Sequence, residues 1–273
     1  MPELALQVER YTAVIAVGGV AVRVNTTDSS FLELLQKRYS GFVSAETTGD
    51  FEFNVELVDS TFAEPGAEVS VRHHSGVWFL KRADFRVEWN PATRTAMIRQ
   101  NANAYSMDAV LRIVHTLVLA KQGGFLLHSA SAIRNGKAFL FAGVSGAGKT
   151  TISRRAPADV TLLTDEISYV RPSDEGEGYV AFGTPFTGEL AKLGENTSAP
   201  VAALYLLAKG QENRIEPVAV ADKGRELLAN VLFFAEDPEL VHRVFQAACD
   251  FVHRVPVYRL TFVPDGRVWE MIR

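Results

Sequence analysis

The 273-residue chain is 47% hydrophobic and 22% charged, a composition that can bury a sizeable core and fits one large or two modest globular domains. Its formal net charge of −4 and the lack of any lysine/arginine cluster leave no electrostatic footprint for nucleic acid. A single cysteine, Cys249, excludes an intramolecular disulfide.

The first stretch, MPELALQVER, carries Glu3 and Glu9 where a secretion signal has a basic start and an apolar centre, so a cytoplasmic protein is expected. The apolar segment 12–22, TAVIAVGGVAV, has about half the length that crosses a bilayer. It reads as a β-hairpin turning at Gly18-Gly19, and no membrane partner is expected. A helix follows at DSSFLELLQKRY, capped by Asp28 or Ser29, with Phe31, Leu34, Leu35 and Tyr39 on one face. Period-two stretches (AVRVNT, FEFNVELV, EVSVRHHSGVWFLKR and FRVEWNPATRTAMIRQ) read as strands, with a hairpin tip at Ser75-Gly76. His73 and His74 beside that tip lack further ligands at tetrahedral spacing and are expected as solvated loop residues. Residues 1–104 are therefore a β-rich α+β domain, with no repeat or low-complexity segment.

From Ser106 the spacing turns helical, with Val110, Ile113, Val114, Leu117 and Val118 on one face and Gly123-Gly124 as the stop. Next come the strands FLLHSASAI and KAFLFA, a glycine turn, the short helix KTTISRR and the strand VTLLTDEISYV. APVAALYLLAKG reads as a buried strand, and DPELVHRVFQAACDFVHR as a helix with Asp237 as N-cap and Pro238 at its first position. Its expected apolar face is Val241, Val244, Phe245, Ala248 and Val252, with Cys249 as a small core residue. His115 and His242 fall on helices with nothing to distinguish them. Residues 105–273 thus read as an α/β domain.

Within that domain, Gly143-x-x-x-x-Gly148-Lys149-Thr150 is the pattern of a phosphate-cradling P-loop. Glycines let successive N–H groups face one anion, so Gly143, Ser145, Gly146, Ala147, Gly148, Lys149, Thr150 and Thr151 are candidate ATP-binding residues. Lys149 would reach the β/γ-phosphates and Thr150 would offer its hydroxyl to Mg²⁺. The apolar strand before the loop and the helix after it stand in the order this chemistry needs. Asp165 and Glu166, at the end of an apolar strand, are the first candidates for carboxylates at the phosphate site. Arg154 and Arg155 read as ordinary residues at the exposed end of a short helix.

LLHSAS, GVSGAGKTT, LLTDEIS and GTPFTGEL occur in an order that resembles the C-terminal catalytic domain of HPr kinase/phosphorylase and its stand-alone serine-kinase relatives. The resemblance covers about 105–273 and leaves the first hundred residues unmatched. It implies a P-loop kinase fold of the HPr kinase/phosphoenolpyruvate carboxykinase type. It also implies ATP and Mg²⁺ as cofactors, and a protein or peptide bearing a serine as acceptor, to be recognised by the β-rich half. Asp165 would be the base, with Lys149 on the phosphates and His128, 21 residues before it, as a catalytic partner. Thr150, Glu166 and Glu189 would hold the metal. Glu166 stands where the bifunctional enzymes have aspartate, Ser129 where they usually have glycine, and ELAKLGEN replaces their stretch used with inorganic phosphate, so kinase activity without phosphorolysis is what is implied. A small-molecule kinase and a non-catalytic ATP-binding module are the alternatives. A homo-oligomer is compatible with each.

Overall fold

The computed structural model describes residues 9–59, 61–62, 68–190 and 193–273; the reading of the first eight residues therefore lies outside the described part. The chain divides into two compact units, Met1–Leu111 and Arg112–Arg273. The division falls inside a long helix, a few residues beyond the point where the sequence pattern changes. Among the described residues no helix is long and apolar enough to cross a membrane.

The first unit is one eight-stranded sheet with a helix. Its strands are β1 (Tyr11–Val17), β2 (Val20–Thr26), β3 (Val43–Ser44), β4 (Phe51–Leu57), β5 (Ser70–His74), β6 (Val77–Arg82), β7 (Phe85–Asn90) and β8 (Thr95–Gln100), in the order β3-β1-β2-β4-β8-β7-β6-β5. β1 and β2 pair up to Val17↔Val20 and leave Gly18 and Gly19 as a two-residue turn. Both glycines have positive φ, the backbone that this turn requires and that other residues adopt only with strain. Helix α1 (Ser29–Arg38) begins where Asp28 accepts a 2.8 Å hydrogen bond from the Phe31 N–H. Phe31, Leu32, Leu35 and Tyr39 are buried while Leu34 is 40% exposed, so the core face lies slightly to one side of that expected.

Helix α2 (Ala104–Lys121) follows. Met107, Val110, Leu111, Ile113, Val114, His115, Thr116, Leu117, Leu119 and Ala120 are all buried. It is an interior helix, and the single apolar stripe read from spacing understates it.

The second unit contains β9 (Phe125–Arg134), β10 (Lys137–Ala142), α3 (Lys149–Arg154), β11 (Thr161–Thr164), β12 (Ile167–Pro172), β13 (Tyr179–Phe182), β14 (Ser198–Lys209), β15 (Arg214–Pro217), α4 (Val220–Leu228), β16 (Val231–Leu232), α5 (Pro238–Arg254), β17 (Val257–Phe262) and a closing 3₁₀ turn (Gly266–Met271). Strands run in the order β10-β9-β12-β13-β14, and β14 pairs back onto β10. The sheet therefore closes into a five-stranded barrel, extended from β14 by β17 and β15. Four of the five barrel pairings are antiparallel, and only β10–β14 is parallel.

This corrects the fold expectation. The α/β P-loop kinase architecture of the HPr kinase/phosphoenolpyruvate carboxykinase type is replaced by a closed, mostly antiparallel barrel with helices. The physical reason is local: the Asn135-Gly136 turn, both residues at positive φ, folds β9 and β10 into a hairpin, and α3, with six residues, is too short to serve as a crossover helix between parallel strands.

Helix α5 begins at Asp237, whose side chain accepts from the Leu240 N–H at 3.0 Å, with Pro238 in the first turn. Leu240, Val244, Ala247, Ala248 and Phe251 face the core, whereas Val241 and Phe245 are about half exposed and Cys249 is exposed. The buried stripe is thus turned by one residue from the expected one, and Cys249 is not a core residue.

His115 is fully buried, edge-on to the Tyr169 and Phe186 rings, and neither ring nitrogen has a hydrogen-bond partner among the described residues. Burial depresses its pKa from 6.5 to about 4, so the unfolded chain binds the additional proton across that window. Stability should fall as pH drops from 6.5 towards 4, by at most about 3 kcal/mol from this residue. His115→Met should flatten that segment of the Tm–pH curve, and equal slopes in the two proteins would show that His115 is not responsible.

Candidate active site

β9 and β10 are antiparallel with Ala142 opposite Ser129, so the first residue of the glycine turn emerges beside His128. On the other edge of β9, β11 ends with Thr164 opposite Ser131 and β12 begins with Ile167 opposite His128. Asp165 and Glu166 fill the break. They stand at the end of a strand, as read from sequence, and the chain then resumes along the same neighbour as β12.

Three devices fix that break. The Thr164 hydroxyl oxygen accepts from the N–H groups of Glu166 and Ile167, both at 3.2 Å. Thr184 Oγ1 donates to the Ile167 carbonyl at 2.7 Å. The buried Asp165 carboxylate accepts from the Gly188 and Leu190 N–H groups, each at 3.0 Å through a different oxygen. Both Asp165 oxygens therefore hold the segment that carries Glu189.

Glu166 lines the cleft itself. His128 Nε2 lies 3.3 Å from its Oε1, and both side chains are about one-third exposed. The hydrogen bond with His128 holds the Glu166 carboxyl below the usual carboxylate range, against the upward push of burial, with Lys149 and Arg112 acting in the same sense as His128. Gly188 fits here because a Cβ on it would stand 2.5 Å from Glu166 Oε2.

The glycine turn faces this pair. Gly146 and Gly148 have positive φ, and Gly148 caps α3 in the left-handed region. A Cβ on Gly148 would also meet the Phe262 ring at 2.5 Å. Lys149 is buried and its ammonium donates to the Gly143 carbonyl at 2.8 Å. Burial pushes its pKa down, while Glu166 and Glu189 hold it up. Thr150 Oγ1 donates towards Glu189 Oε2 at 3.4 Å.

A cleft of about 420 Å³ results, bordered by His128, Glu166 and Glu189 on one side and Ser145, Gly146, Gly148, Lys149, Thr150 and Thr151 on the other. Of the residues singled out in the sequence, Gly143, Ala147 and Asp165 do not line it. Gly143 and buried Ala147 shape the turn, a Cβ on Gly143 falling 2.8 Å from that of Ala147. Sequence reading missed Thr164 and Gly188, and the glycine immediately before Glu189 was the available signal. Among the described residues no group of three or more His, Cys, Asp and Glu is placed to hold a metal ion.

The second unit is thus a closed-barrel α/β protein with a glycine-turn cleft at the point where β9 changes partners. No curated protein matches the chain. Residues 95–273, about two-thirds of it, match the family model of the SynChlorMet cassette protein ScmC, and the chain belongs to that family. This overturns the HPr kinase-like, P-loop serine-kinase assignment: the four segments that suggested it occur within a different family, around a barrel.

Asp165→Asn leaves one oxygen where two are used, so one of the Gly188 and Leu190 N–H groups loses its acceptor. The variant should be destabilised by about 1–3 kcal/mol, the usual effect of an unsatisfied buried donor, as read by urea denaturation. Parental stability would show that these hydrogen bonds do not hold the segment.

Proposed function

We propose that the protein binds ATP·Mg²⁺ in the glycine-turn cleft and transfers the γ-phosphoryl group to a hydroxyl of a protein or peptide. The observation that carries this reading is the convergence of a buried lysine, a turn with two left-handed glycines and a helix start on a His–Glu pair within one cleft. Lys149 would leave the neutral Gly143 carbonyl for the phosphates, which are better partners because they carry the opposite charge. The hydroxyl of Thr150 and the carboxylate of Glu189 are hard oxygen donors that suit Mg²⁺. The ion would neutralise charge on the phosphates.

Glu166 is the base in this reading. It is ionised, lines the cleft and is oriented by His128, whereas the oxygens of Asp165 are engaged by backbone. As the acceptor oxygen bonds to the γ-phosphorus, its proton passes to Glu166, the bond from that phosphorus to the bridging oxygen breaks, and ADP leaves. His128 fixes the carboxylate that receives the proton.

Two variants test the reading. Lys149→Ala should weaken ATP·Mg²⁺ in calorimetry by about tenfold or more, and unchanged affinity would remove the site. Glu166→Gln should bind ATP normally while transfer from γ-labelled ATP drops by roughly 10²–10⁴; a parental rate would return the base to another group.

A further inference from the structure

Helix α3 carries Lys149 and Thr150 in its first turn, yet it has only six residues. A helix this short is not stable alone and takes its position from what packs against it. That packing comes from far along the chain. Ile152 is buried in a core cluster with Phe141, Leu260, Phe262 and Trp269.

The contact is directional as well as apolar. The Trp269 indole Nε1–H donates to the Ile152 carbonyl at 3.1 Å, one of the last four carbonyls of the helix, which no N–H of the helix itself can pair. Trp269 is 2% exposed and Ile152 1%, so this carbonyl has no solvent to turn to if the indole is removed. The same ring stands edge-on to Phe141 at 5.4 Å, on the strand that enters the glycine turn. Phe262 fills the space beside Gly148, where a Cβ would fall 2.5 Å from its ring. One segment, from Phe262 to Trp269, therefore touches the strand before the turn, the last glycine of the turn and the helix after it. That segment is itself anchored to β9, the strand that carries His128. Arg134, the last residue of β9, donates through Nη1 to the Trp269 and Ile272 carbonyls and through Nε to Asp159 Oδ2 at 2.8 Å.

We propose that Trp269 is a positioning residue of the nucleotide site: its indole sets the position of α3, and through it the placement of Lys149 and Thr150 toward bound phosphates and Mg²⁺. The proposal rests on the ATP reading of the cleft. Both side chains act at hydrogen-bond or coordination distance, so a small displacement of α3 weakens both contacts.

Trp269→Phe keeps an aromatic ring against Phe141 and removes the N–H, leaving a buried carbonyl unpaired. Its affinity for ATP·Mg²⁺ should fall about three- to tenfold in calorimetry, at a temperature where circular dichroism shows parent and variant fully folded, and amide exchange in residues 149–155 should quicken. Loss of core packing alone would lower Tm without changing the affinity of the folded protein. Arg134→Lys is the second variant. It leaves the indole whole and keeps a cation beside Asp159, but lacks the planar fork that reaches the carbonyls and the carboxylate together; it should weaken ATP·Mg²⁺ in the same direction, by about twofold or more. Parental affinity in folded Trp269→Phe, or in Arg134→Lys where the first does not fold, would overturn the proposal, as would weaker binding with unchanged exchange in α3. If the parent binds no ATP, or binds it independently of Lys149, the reading of the cleft fails and the proposal with it, a result obtained without either variant.

Discussion

The second unit depends on one constraint, that β9 changes partners on both edges at the same place. On one edge β10 pairs with residues 129–134 and β16 with Leu126 and Leu127; on the other, β11 pairs near Ser131 and β12 from His128 onward. Backbone groups in a buried sheet require partners, so each break must be capped by something other than a ladder. At His128 the backbone N–H donates to the Asn230 carbonyl at 2.7 Å, and across the other edge Thr164 satisfies the turn with its side chain. The cleft opens where the sheet leaves room. Its chemistry-bearing residues are gathered by strand register.

Two adjacent acids acquire different roles from this break. Asp165 is turned inward and bound by two backbone N–H groups, whereas Glu166 is turned to the cleft and its carboxylate meets His128 and the field of Lys149. The same dipeptide thus supplies both the clamp on the Glu189 segment and the ionised group facing the loop. Gly188 makes this compatible, since a side chain there would collide with Glu166. The acids and the Glu189 segment are held together, because displacing Asp165 releases backbone hydrogen bonds at Gly188 and Leu190.

What could be read from the sequence was local. The turn at Gly18-Gly19, the Asp28 and Asp237 caps and the strand before the glycine turn each carry a signal within a few residues, and each stands where it was read. Helix α5 shows where local reading divides: its sequence carries two apolar stripes that share Val244 and Ala248, one running on through Leu240, Ala247 and Phe251 and one through Val241, Phe245 and Val252. Spacing cannot choose between them. The choice is made by Phe125 and Tyr179, whose rings stack edge-on against Phe251. Barrel closure was illegible for a related reason, because the pairing of β10 with β14 joins residues some sixty apart and has no local signature. The order of strand, turn and acids was therefore assigned to a P-loop kinase fold and to the wrong family. Among site residues, the grouping of Lys149, Thr150, Glu166, Glu189 and His128 around one cleft was anticipated; that Asp165 would stay outside it and accept from the Gly188 and Leu190 N–H groups was not, since those partners lie more than twenty residues away in the chain.

The burial of Lys149 connects these levels. An ammonium in a half-desolvated site is tolerated only with compensating partners, and here they are the Gly143 carbonyl together with the nearby charges of Glu166 and Glu189. The two glutamates belong to segments that the Asp165 clamp holds together, so the barrel break that orients the acids also places the two charges that oppose the desolvation of the lysine. An arriving polyanion would take over the lysine and add negative charge beside both glutamates. That repulsion needs a cation, and the hydroxyl and carboxylate oxygens of Thr150 and Glu189 stand 3.4 Å apart at the rim where one would enter. In the function proposed above, electrostatic balance would couple anion and cation binding in this cleft, each making the other less unfavourable.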